Sequence, residues 1–151
     1  MALWKTVRKI DAGQSLVEVM IALVIVTLVL ITIVSAVLVA LKSTQFSRHK
    51  TRGTFLAQSV IEWLRGQRQS SGWSTFTDQA GTYCMLTLDF TNPGACAAFE
   101  TIDSIFVREM MLDYDNAQEV VTATVTVTWF EGDKEFSSRV EGEFYDQEYE
   151  E

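Results

Sequence analysis

The order of hydrophobic and polar positions divides this chain into three stretches. From Val19 to Leu41 no side chain is charged, and the only polar members are Thr27, Thr32 and Ser35. A helix rising 1.5 Å per residue needs about 20 apolar residues to cross a bilayer. The run therefore predicts a membrane-spanning helix whose few hydroxyls bond back to their own backbone. From Lys42 the pattern becomes amphipathic: Phe46, Gly53 and Val60 recur every seven residues, and Leu56 and Trp63 fall on the same stripe. No proline precedes Pro93, so one helix is expected from about Gln14 to about Ser70, with Phe46, Leu56, Val60, Ile61 and Leu64 packed on a soluble domain. Two helices joined near Gly53 are the alternative. Ser70-Ser71-Gly72 supplies the stop, with glycine in a left-handed cap.

Beyond Gly72 the period changes to two. Val121, Ala123, Val125, Val127 and Trp129 alternate with Thr122, Thr124, Thr126 and Thr128, the signature of a half-buried strand. Glu131-Gly132-Asp133-Lys134 makes a turn, and Phe136, Val140 and Phe144 line one face of the returning strand, which predicts a hairpin. Earlier strands are expected over Tyr83 to Phe90, with Cys84, Leu86, Leu88 and Phe90 on one face, and over about Ile105 to Leu112. The fold class is α+β: a long N-terminal helix packed on an antiparallel sheet of about four strands. The expected divisions are 1–13, a short basic segment; 14–41, the apolar helix; 42–71, its amphipathic continuation; and 72–151, a β domain ending in a solvated, mobile acidic tail.

Charge and cysteines sharpen this outline. The formal net charge of the 151 residues is -8, which argues against a phosphate-binding surface and direct nucleic-acid contact. Cys84 and Cys96 flank Asn92-Pro93-Gly94, a turn that brings them within bridging range; a disulfide and two buried free thiols are the two readings. Neither cysteine belongs to a zinc-spaced cluster, and the lone His49 stands among Arg48, Lys50 and Arg52 as a basic surface segment, so no metal or cofactor is expected. Catalytic chemistry lacks a constellation: Ser70 and Ser71 have no nucleophile elbow, Asp113 and Asp115 read equally as turn residues, and no phosphate-binding glycine loop is present. Trp63, Trp73 and Trp129 fit helix-to-sheet packing.

One residue at the membrane stretch asks for an explanation. Glu18 stands at the head of the apolar run, where an unpaired carboxylate costs free energy unless it stays interfacial or finds a cation. An ordinary secretory signal fits poorly, because the run exceeds the usual apolar region, although Val34-Ser35-Ala36 has acceptable spacing for signal cleavage. Basic residues flank the run on both sides, Lys5, Arg8 and Lys9 before it and Lys42, Arg48, Lys50 and Arg52 after it, so charge counting alone gives no orientation.

The basic segment Lys5, Arg8 and Lys9, then Gly13, then Gln14-Ser15-Leu16-Val17-Glu18 and the uninterrupted apolar helix resemble the type IV pilin and pseudopilin superfamily. The resemblance implies that residues 1–13 are a leader, cut after Gly13 by a membrane prepilin peptidase that commonly methylates the new terminus. It places Glu18 at mature position five, neutralised in a filament by the Gln14 amine of a neighbour. The family's usual first mature residue is phenylalanine, where this chain has Gln14, and the proline that many members carry in the apolar helix is absent. The segment Phe55 to Glu62 looks like that of minor pilins and secretion pseudopilins. The implied partners are the peptidase, other pilin subunits through the apolar helix, an inner-membrane assembly platform, and the lipid bilayer before assembly. The implied location is a single-pass inner membrane precursor with a cytoplasmic N-terminus, then an extracytoplasmic filament. A membrane-anchored binding module that never polymerises is the competing expectation.

Overall fold

A single helix, α1, runs from Ala12 to Ser71 in the computed structural model, which describes residues 12–97 and 99–146. Its 60 residues pass through Gly53 without a break, so the two-helix alternative does not hold. The chain divides into two compact units between Thr44 and Gln45.

In the first unit the helix is long and apolar enough to cross a membrane. Thr27 donates to the Val24 carbonyl at 2.8 Å, Thr32 to Val29 at 2.7 Å, and Ser35 to Ile31 at 2.8 Å. These bonds remove the only polar side chains between Val19 and Leu41 from competition for outside partners.

The second unit packs residues 45–71 of α1 on a sheet. After α1 come α2 (Trp73–Thr77), β1 (Gly81–Cys84), β2 (Val107–Asp115), β3 (Val120–Glu131) and β4 (Lys134–Tyr145). The strands lie in the order β1-β2-β3-β4, all antiparallel. Gly72 ends α1 at φ 74° and ψ 160°, an extended conformation open mainly to glycine rather than the left-handed cap. The β3–β4 hairpin turns at Gly132, with φ 63°, and closes on the pair Glu131 and Lys134.

Two strand expectations need correction. The first strand stops at Cys84, and Met85 to Phe90 is not extended, because Cys84 is drawn back toward residue 92: its N–H donates to the Asn92 carbonyl at 2.9 Å and Tyr83 bridges Pro93. Leu86 and Leu88 consequently stay partly exposed instead of joining Cys84 on a buried face. Asp89 organises that loop by accepting the Thr91 N–H at 2.9 Å; the hydroxyl of Thr87, then the hydroxyl and the N–H of Thr91, hold its carboxyl below the usual range. The second strand begins at Val107 and runs to Asp115, later than expected.

The core is the seam between α1 and the inner face of the sheet. Leu56, Ala57, Val60, Ile61 and Leu64 from the helix meet Met110, Leu112, Val121, Ala123, Val125, Val127 and Trp129. Trp129 stacks on Phe136 at 6.2 Å, and partly buried Trp63 and Trp73 close the ends against Phe90 and Tyr114. Two glycines set the approach distance. A Cβ on Gly53 would lie 3.0 Å from the Trp129 ring, and one on Gly142 3.3 Å from Ile61. Thr54 to Ser138 at 2.8 Å adds a polar stitch beside the first of these.

Gly66 lies on the same helix with nothing near its missing Cβ. Gly66→Ala is expected to raise stability by about 1 kcal/mol through helix propensity alone. Gly53→Ala gains the same propensity but overpacks the buried Trp129, at a cost of roughly 1–3 kcal/mol. The urea midpoint of the full chain in mild detergent, followed by tryptophan fluorescence, should therefore move in opposite directions. A rise in both would show that the indole yields.

Candidate functional site

The uncharged helix surface and its one carboxylate form the first candidate. From Leu16 to Leu41 the large apolar side chains are 51% to 68% exposed. Covering each one fully is worth roughly 1.5–3 kcal/mol, so this surface demands lipid or other helices. Glu18 is exposed at its head and makes no hydrogen bond or ion pair with any described residue. Gly13 and Gln14 fall within the first turn of α1. The basic segment up to Asp11 and the acidic end from Gln147 lie outside the described residues.

The cysteine pair is brought together. Cys84 and Cys96 form a disulfide with Cα atoms 4.7 Å apart, closing a loop of sequence separation 12. Glu100 is near enough to complete a three-residue group with them, but bonded sulfurs offer no thiolate for a metal. Among the described residues no second group of this kind occurs. Carboxylates anchor the loop instead: Glu109 accepts the Cys96 N–H at 2.8 Å, and Glu100 accepts from the Ala97 N–H at 2.7 Å and the Asn92 amide at 3.1 Å.

His49 departs from the expected surface role. It is half-buried, 3.1 Å from the Glu131 carboxylate, and its ring meets Phe106 edge-on at 5.9 Å. It ties α1 to the β3–β4 turn. Ser70 and Ser71 both donate to the Gln67 carbonyl. Asp113 lies on β2, while Asp115 accepts the Ala117 and Gln118 N–H groups at the strand's end, a turn role.

Arg108, which the sequence pattern did not single out, is the most deeply buried charge among the described residues. It is 5% exposed, and its guanidinium donates to the Met85 carbonyl at 2.7 Å, the Leu56 carbonyl at 3.3 Å and Ser59 Oγ at 3.3 Å. Burial lowers its pKa from the ordinary arginine value. The fork joins β2, the chain leaving β1 and the middle of α1. The signal was present in its parity with Met110 and Leu112, which face the helix.

Replacing Arg108 by lysine should destabilise the second unit by about 1–3 kcal/mol, since one ammonium cannot reach three divergent acceptors in the same plane. Cys84→Ala with Cys96→Ala should cost about 3 kcal/mol by freeing the unfolded chain. Both are read as urea midpoints, and an unchanged midpoint contradicts the role assigned. Set against models of known families, curated proteins and solved structures, the chain finds no match.

Proposed function

We infer that this chain is a structural subunit of a type IV pilus-like or secretion-like filament, of the pilin or pseudopilin kind and a minor component of it. The observation that carries the reading is the uncovered apolar surface of residues 16–41 with one carboxylate, Glu18, at its head that has no partner among the described residues. A plain anchor needs the surface but has no use for the acid. A helix that moves from lipid into a bundle of similar helices has a use for both: packing supplies cover, and the acid sets register by pairing with a cation on a neighbour.

Cleavage after Gly13 creates that cation, the amine of Gln14. Breaking one partner of such a pair in a low-dielectric bundle costs roughly 3–5 kcal/mol, because the other charge stays buried alone. The precursor sits in the inner membrane with its N-terminus in the cytoplasm and its disulfide-bearing sheet on the oxidising side. The exposed α+β unit then decorates the filament, and no enzymatic role is assigned to it.

Coexpression with a prepilin peptidase should yield a mature chain beginning at Gln14, by intact mass and N-terminal sequencing, and Gly13→Leu should block it. Glu18→Ala should be cut normally yet lose most filament yield. A chain left whole, or cut near Ala36, points instead to an anchored or secreted binding module.

A further inference from the structure

Phe55 and Phe130 lie on opposite sides of the second unit and are, with Phe99 and Tyr145, the uncovered aromatics among its described residues. On the helix side Phe55 is 58% exposed although its neighbour Leu56 is buried. With Ser47, Arg48, Thr51 and Arg52 it lines a shallow, wide-open and largely apolar hollow along one outer stripe of α1. The hollow is braced: the Arg52 guanidinium lies 5.7 Å from the Phe55 ring centre and is held by Asp103 at 3.2 Å. Arg48 is exposed on its rim and pairs with no acid among the described residues.

On the far side of the sheet Phe130 is 59% exposed. It follows Trp129, which points into the core, so strand alternation directs Phe130 away from α1. The β3–β4 register sets Glu135 directly opposite it, on the same face, and Asp133 stands in the adjoining turn. Both acids are exposed and neither forms an ion pair among the described residues. One side thus carries an apolar hollow rimmed by an exposed cation, and the other an aromatic knob flanked by two exposed acids with Lys134 between them in sequence.

We propose that Phe130 of one copy of this chain seats in the Phe55 hollow of a second copy, with Glu135 facing Arg48 across the contact. The two patches differ in shape and sign, so the contact is heterologous, and a pair of copies leaves one patch of each kind open. Because they lie on opposite faces of the unit, the contact permits residues 45–71 of α1 to run the same way in successive copies, which chains sharing one bilayer require. An aromatic pair and an exposed ion pair are weak alone. They become effective between chains already concentrated by a common membrane or filament. The setting rests on the filament reading; what is added is which surfaces meet.

The test uses the full chain in phospholipid vesicles, with a benzophenone amino acid in place of Phe55. Illumination of mixed ordinary and isotopically heavy chains should give light–heavy dimers whose cross-link maps to residues 130–135. Phe130→Ser should cut the dimer yield roughly tenfold, as truncating a central aromatic anchor does. Arg48→Glu or Glu135→Arg alone should lower it by up to about fivefold. Mixing the benzophenone chain carrying Arg48→Glu with the Glu135→Arg chain should restore it, because the pair is rebuilt with charges exchanged. Cross-links to lipid, to another protein or to another segment overturn the proposal, as does failure of the exchanged pair to restore the yield. Processing scored on peptidase-treated samples separates the two readings. Chains cut after Gly13 that do not cross-link overturn only the contact, and chains that cross-link but resist cutting overturn only the filament.

Discussion

The helical hydrogen-bond ladder of α1 is the constraint on which everything else rests. In hydrocarbon every backbone N–H and C=O must be satisfied within the segment, and a chain without proline before residue 93 meets that requirement residue by residue. Beyond the apolar run, propensity alone holds a helix in water only weakly. Residues 45–71 are kept helical there by what they bury, from Leu56 to Leu64, against the inner face of the sheet.

That seam explains the composition of the second unit. A helix approaches a sheet closely only where side chains are small, and Gly53 under Trp129 and Gly142 under Ile61 provide the two close approaches. Around them the polar links are few and specific: Thr54 to Ser138, His49 to Glu131, and Arg68 to the Tyr145 carbonyl at 3.0 Å. The short edge strand β1 is covered by its own disulfide loop, since Gly94 donates to the Thr82 carbonyl at 2.7 Å. The longer edge, β4, carries Glu135, Arg139, Glu141 and Glu143 on its solvent face. Charges of that density discourage indiscriminate strand pairing.

Much of this was legible from period alone. The switch from an unbroken apolar run to a seven-residue stripe, and then to strict alternation over Val121 to Trp129, specified the helix, its packing face and the hairpin, because each pattern fits one backbone geometry. The failures are equally physical. Cys84, Leu86, Leu88 and Phe90 alternate like a strand, yet a disulfide to Cys96 leaves too little chain for a long strand and a return, so Asp89 turns the backbone instead. Arg108 shares the inward parity of Met110 and Leu112, but its burial depends on carbonyls of Met85 and Leu56, which are distant in sequence. His49 looked exposed among cations because its partner, Glu131, is 82 residues away. As for the candidate site, Glu18 and the cysteines were visible as residue types in unusual places, while Phe55 and Phe130 acquire meaning only once the sheet shows which faces they occupy.

The two conspicuous charges of this chain have opposite chemical prospects. A buried cation in a helix-and-sheet domain finds acceptors readily, because carbonyl oxygens have two lone pairs each and a helical carbonyl already bonded to its own ladder can accept again. Arg108 exploits this at Leu56 and Met85. A carboxylate needs donors, and helix N–H groups carry one proton each, all committed beyond the first turn. Glu18 therefore has no route to satisfaction from the apolar helix that follows it. Water at the interface can solvate it while the chain lies in a bilayer. Inside a bundle of such helices water is excluded, and the donor has to be a cation brought by another chain. Under the proposed processing after Gly13, the amine of a neighbour's Gln14 would be that cation. On the function proposed above, the acid that is tolerable in the membrane sets register in the filament.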